Sequence, residues 1–273
     1  AGGGIIIASS SATGVVVSGN FIGTDGAGSA VLSNGLNGIT VQAGAHSNTI
    51  GGINASGSWA GNVICGSQQY GIFIDSVHET KLQGNYVGID ESGWIGPGNG
   101  LSAYPALSVI NARNTLIGGA YMGFRNLIGG SSGMGIELVR CFNTEVAGNF
   151  IGVATNHTLV PNSGIGLNLY QCTNTVIGGA LAAARNIIGG NTYGISADRS
   201  PGTVIENNGV GVSELSTAVS NRLDGIQLNR MVDAIVRSNT LAASRGNGIS
   251  LVASTNCLIV ANIIGLSSNG QQA

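Results

Sequence analysis

With 273 residues, 43% of them hydrophobic, and no break in composition, the chain is long enough to bury a large core and reads as one domain, residues 1–273. Only 8% of residues are charged and the net charge is −2, so there is no basic surface to neutralise phosphates and nucleic acid is excluded as a partner. No apolar run approaches a membrane span, and the opening Ala1-Gly2-Gly3-Gly4-Ile5-Ile6-Ile7 lacks the basic start of a signal peptide. No membrane partner is expected, and the chain reads as the mature part, or a fragment, of a longer protein.

Glycine is abundant, 47 residues, while proline is rare, 4 residues, and the aliphatic content is too high for a disordered linker. The glycine therefore serves repeated tight turns. Four cysteines (Cys65, Cys141, Cys172, Cys257) show no CxxC or Cys/His spacing, and His46, His78 and His157 are the only histidines. Neither a zinc site nor a cofactor is expected from this.

In chain order, one apolar series falls three residues before each Gly-Asn or just before each Gly-Gly: Val17, Ile50, Leu82, Ile117, Val146, Ile177, Ile205, Val236, Ile259. The average step is about 30 residues, a solenoid period. A second series follows it: Ile22, Ile64, Val87, Ile128, Ile151, Ile188, Val210, Leu241, Ile264. A third consists of alternating pairs: Ile39/Val41, Ile72/Ile74, Leu107/Val109, Ile136/Leu138, Leu167/Leu169, Ile195/Ala197, Ile226/Leu228, Ile249/Leu251. Apolar-polar-apolar alternation is strand patterning. Three short strands per repeat, about nine repeats, predict an all-β parallel β-helix solenoid.

The N-x-I-x-x-N-x-I pattern followed by G-I-x-L resembles the repeats of right-handed parallel β-helix proteins, the pectate-lyase-like superfamily that includes tailspike and adhesin types. The resemblance spans residues 15–264 and implies a right-handed coil of extracellular, cell-surface or virion location. That superfamily contains surface and fibre proteins as well as polysaccharide-degrading enzymes, so fold alone does not choose a function.

Insertions alternate between coils. Residues 53–61, 120–125 and 180–185 form one family of loops, and 24–37, 90–105, 154–166 and 213–224 the other. In solenoids, insertions gathered on one side mark a binding face. Asn114, Asn143, Asn174 and Asn256 share a column expected to satisfy backbone groups at a corner. The Thr80, Thr115, Thr144, Thr175 and Thr203 row is expected inside or at the corner. Cys141 and Cys172 fall in adjacent coils, within disulfide reach, with stacked thiols as the alternative. Val16, Leu116, Val176, Val204, Ile235 and Leu258 face outward, broken by Lys81 and Glu145, and a homotrimer is the expectation drawn from that stripe.

The outward positions of the Gly-Ile strands form the candidate groove. Glu137, Tyr170 and Asp198 lie there, with Arg140, Arg199 and Arg230 at the corner just beyond. Glycoside hydrolysis needs one protonated and one ionised carboxyl group, which makes Glu137 and Asp198 the catalytic candidates, with the arginines and Tyr170 gripping substrate. Surface ion pairs are the alternative reading of the same residues. Tyr70-Gly71 with Asp75 and His78 is similar to the Tyr-Gly…Asp-Pro-His signature of alginate epimerases, but the spacing differs and the proline is absent. Trp59 and Tyr121 in one loop family and Trp94 in the other are sugar-stacking candidates. Two functions follow: an extracellular structural or glycan-binding surface protein, or a hydrolase or lyase acting on an acidic or bacterial surface polysaccharide.

Overall fold

The computed structural model describes residues 2–28 and 30–265; residues 1, 29 and 266–273 of the single domain expected above lie outside the described residues. The described residues form three parallel sheets of nine strands each. The first sheet stacks Ile5–Ala8, Ile39–Gln42, Ile72–Asp75, Leu107–Ile110, Ile136–Val139, Leu167–Tyr170, Ile195–Asp198, Ile226–Asn229 and Ile249–Val252. Pairing is one coil to the next with no slip, as in Ile136↔Leu167 and Ile195↔Ile226. The chain is a right-handed parallel β-helix of nine coils with three strands per coil.

The register follows from the two-residue period of the strands. A slip by one residue would turn each aliphatic row outward and the polar row into the core. In register, Ile39, Ile72, Leu107, Ile136, Leu167, Ile195 and Ile226 form one buried column, and Ile50, Leu82, Ile117, Val146, Ile177, Ile205 and Val236 another. Burying one such side chain contributes about 1.5–3 kcal/mol, and the column repeats that gain in every coil. The inward residues of the ninth coil are the exception. Leu251, Ile259 and Ile264 are 38%, 43% and 50% exposed, against 6–7% for Ile7, Val17 and Ile22 in the first.

Corners hold the coil closed. Gly118 and Gly178 turn at φ 85° and 93°, and an added Cβ would run into the carbonyls of Ala147 and Glu206 in the next coil. Just before each third-sheet strand stands an asparagine, buried in Asn62, Asn85, Asn126, Asn149, Asn186, Asn208 and Asn239, exposed in Asn20 and half-buried in Asn262 at the two ends. Each amide from Asn20 to Asn239 donates to the next one's Oδ1, for example Asn126 Nδ2 to Asn149 Oδ1 at 2.9 Å and Asn208 Nδ2 to Asn239 Oδ1 at 3.0 Å. A second, shorter ladder joins Asn162 to Asn191.

These interior amides take the backbone-satisfying role expected of the Asn114 column. Asn114, Asn143 and Asn174 are instead exposed, at φ 52°, 51° and 52°. Asparagine suits that column because its short polar side chain tolerates left-handed backbone at low cost. Thr80, Thr115, Thr144, Thr175 and Thr203 are buried, as expected. Cys141 and Cys172 are free thiols, with the Cys141 amide donating to Cys172 Sγ at 3.4 Å. Of the outward aliphatic stripe, Leu116, Val176, Val204 and Ile235 are half-buried, while Val16 and Leu258 are 65% and 52% exposed.

Candidate functional site

Every first-sheet strand presents its second and fourth residues outward, so the face carries two outward columns of mixed polar and apolar side chains about 6.6 Å apart along the strand. The inner column runs Thr40, Phe73, Ser108, Glu137, Asn168, Ser196, Gln227. The other runs Asp75, Ile110, Val139, Tyr170, Asp198, Asn229. Directly after it the chain turns through left-handed residues, and Arg140, Gln171, Arg199 and Arg230 occupy this corner at φ 51°, 55°, 48° and 49°. The shared conformation aims their side chains in one row beside the sheet.

Two groups of contacts result. At the C-terminal end Arg230 clasps Asp198 through two bonds, Nε to Oδ1 at 2.8 Å and Nη2 to Oδ2 at 2.6 Å. Arg199 approaches the same carboxylate at 3.8 Å and donates to the Tyr170 hydroxyl at 3.1 Å. The hydrogen bond from Arg230 outweighs desolvation and, with the charges of both arginines, holds the Asp198 carboxyl below its ordinary value. At the N-terminal end Arg140 donates to Asn111 Oδ1 at 2.8 Å, and Asn111 donates to Asp75 at 3.0 Å. Beside them Ser108 donates to Glu137 Oε2 at 2.8 Å.

Against Glu137 lies an aromatic group. Tyr70 stacks on Phe73 with centroids 4.9 Å apart, and Tyr104 meets Tyr70 edge-on, also at 4.9 Å. Burial, and behind it the Glu137 carboxylate and Tyr104, raise the Tyr70 phenol above its ordinary value. Tyr104 arrives from the 90–105 loop, which is how an insertion at the neighbouring corner reaches this face. Phe73 is an outward residue of its strand. All three aromatic residues are half-buried, leaving ring surface accessible.

The structure does not bring Glu137 and Asp198 together. They stand in different columns two coils apart, so their backbones are roughly 12 Å apart from strand and coil spacing. Their partners pull them further in opposite directions, since Ser108 lies one coil before Glu137 and Arg230 one coil after Asp198. Trp59 and Tyr121 lie in loops between the second and third sheets, the corner opposite this face. There Trp59 donates to the Gly84 carbonyl and packs on Tyr86 at 5.0 Å, and Tyr121 packs on Phe124 at 5.3 Å. Trp94 donates to Thr155 Oγ1 at 2.9 Å on the flank of the stack and is 58% exposed. Phe73 and Ser108 are outward groove positions by alternation, and Tyr70 and Asp75 belong to the epimerase-like stretch, but the sequence reading assigns none of the four a site role and does not take up Asn111. The adjacency of Tyr70 and Phe73 to an outward Gly-Ile strand was the available signal.

No protein-family profile matches the chain, and no curated protein matches it in sequence. Among solved structures it is similar to the periplasmic alginate epimerase AlgG, at 16% identity and a TM-score of 0.59, over 84% of this chain and 47% of that one. It is also similar to the A-module of the mannuronan C-5 epimerase AlgE4 of Azotobacter vinelandii, at 12% identity and a TM-score of 0.39, over 91% of this chain and 68% of that one. A third is the Dettilon tailspike protein (gp208), at 14% identity and a TM-score of 0.31, over 86% and 38%. The likeness to AlgG establishes the β-helix fold, and the chain spans about half the length of that protein. Among the described residues no helix is long and apolar enough to cross a membrane.

Proposed function

We propose that the chain is a carbohydrate-binding β-helix of an extracellular, cell-surface or virion protein, adhesin- or tailspike-like, that holds a polysaccharide or cell-surface glycan along the outer face of the first sheet. The observation that carries this reading is the Tyr70–Phe73–Tyr104 group set against Ser108 and Glu137, with Asp75, Asn111 and Arg140 alongside. Aromatic rings take the apolar faces of sugars, and ordered carboxylate, amide and guanidinium groups take the hydroxyls. The resemblance in fold to an alginate epimerase supports a polysaccharide as the ligand class.

Binding is favoured over hydrolysis because Asp198 is neutralised by Arg230 and stands far from Glu137, whereas hydrolysis asks for carboxyl groups within about 9.5 Å. The alternative, a hydrolase or lyase using Glu137 and Asp198 with Arg140, Tyr170, Arg199 and Arg230 gripping an acidic chain, requires turnover of a polysaccharide and its loss in both Glu137→Gln and Asp198→Asn. Affinity electrophoresis against neutral and acidic polysaccharides tests the binding reading. Phe73→Ala and Tyr104→Ala are expected to weaken retardation about tenfold, equivalent to about 1.4 kcal/mol each. Retardation unchanged in the double variant removes this face as the site. The outward aliphatic row from Val176 to Leu258 is where a homotrimer would form, and light scattering at the monomer mass would exclude it.

A further inference from the structure

On the same corner after the first sheet, two residues beyond the arginine row, a further side-chain column carries two histidines. Thr13, His46, His78, Arg113, Phe142 and Thr173 pair in successive coils there. His46 and His78 stack with ring centroids 4.6 Å apart and planes within 7° of parallel. The next column places Ser47 beside Glu79, and the Ser47 hydroxyl donates to Glu79 Oε2 at 2.7 Å. His46 Nδ1 also faces Thr13 Oγ1 at 3.3 Å and Ser47 Oγ at 3.2 Å. One ligand atom from each of His46, His78 and Glu79 lies within 4.8 Å of the others.

We propose that His46, His78 and Glu79 form a binding site for a divalent transition-metal ion of the zinc or nickel type. Two imidazoles and one carboxylate are the donor set such ions prefer over calcium or magnesium, which take oxygen ligands. Metal–ligand bonds of about 2.1 Å put tetrahedral donors about 3.4 Å apart, so the present separation, within 4.8 Å for every pair of ligand atoms, must close by no more than about 1.4 Å. His78 and Glu79 are exposed and can close it by side-chain rotation, while the ladder fixes the backbones. The hydroxyls of Thr13 and Ser47 supply the outer contacts that orient a ligating ring and carboxylate. Three protein donors leave a position open to water or an exogenous ligand. Arg113, the next rung after His78, opposes a cation, so micromolar affinity is expected rather than the tighter binding of a closed structural site. The sequence spacing hides this site because its members come from two coils and meet only through the stacking.

The test is calorimetric titration of untagged, chelator-stripped protein with zinc chloride and nickel chloride, each alone. One ion per chain is expected at micromolar dissociation constant. His46→Ala, His78→Gln and Glu79→Gln should each weaken it at least tenfold, while His157→Asn, the third histidine, should leave it unchanged. Circular dichroism establishes that each variant is folded, and a metal-dependent rise in melting temperature, seen in the parent and lost in His78→Gln, gives a second readout. No binding by the parent protein, or parental affinity in a folded His46→Ala/His78→Gln double variant, overturns the proposal.

Discussion

Asn149 shows how one side chain ties three coils. Its Nδ2 donates to Ile117 O at 2.9 Å, Ala147 O at 3.0 Å and Asn186 Oδ1 at 3.1 Å, and its Oδ1 accepts from Asn126 N at 3.2 Å and Asn126 Nδ2 at 2.9 Å. Truncating it strands several buried donors and acceptors, each carrying a desolvation penalty of about 1–3 kcal/mol. Asn149→Ala is therefore expected to lower unfolding free energy by roughly 3 kcal/mol or more in urea titration. Asn20, at the exposed start of the same ladder, is expected to cost less than about 1 kcal/mol when changed to Ala, because water replaces what is lost. Equal costs at the two positions would show that the ladder is not cooperative with burial.

At the scale of strands and corners, the aliphatic rows were legible because two periods coincide. The alternation along a strand and the recurrence once per coil both mark Ile117, Ile177 and Ile205 as interior, and all three are fully buried. The Asn114 column was less legible. It and the Asn149 ladder both follow turns, yet the first occupies left-handed surface backbone and the second the interior, and only tertiary closure separates those environments. The candidate site was legible in half. Outward positions of the first sheet followed from alternation, but Tyr104 reaches Tyr70 and Trp94 does not, and the path of a 16-residue insertion (90–105) is set by contacts that no local pattern encodes. The cysteines offer a check on the rows themselves. Burial, together with the Asp90 charge, pushes the Cys65 thiol up to about 12, and Cys141 and Cys172 are enclosed in the core. Thiolates are the reactive form. Iodoacetamide at neutral pH should thus modify Cys257, and Cys65, Cys141 and Cys172 only after unfolding, as read by peptide mass mapping.

Over the whole molecule, strands pair only with those of adjoining coils, with a few loop contacts such as Arg125–Glu214 and Trp94–Thr155 reaching further, so stability is close to a sum of coil and interface contributions. Middle coils have two interfaces and terminal coils one. The ninth coil, with Leu251, Ile259 and Ile264 partly open to water, has the weakest hold. Amide hydrogen exchange should show protection highest in the strands around Ile136–Val139 and Leu167–Tyr170 and lowest in Ile249–Val252. Uniform protection across the coils would mean that the stack opens as one unit.

The interior amides also give the molecule a polarity. From Asn20 to Asn239 each side-chain amide of that row gives one hydrogen bond to the Oδ1 in the coil that follows, so the row of amides begins on an oxygen and finishes on a nitrogen. Dipoles set head to tail reinforce one another. Anything that prolonged the row would have to meet the last coil with an oxygen and the first with a hydrogen, so two copies joined through like ends would set donor against donor or acceptor against acceptor.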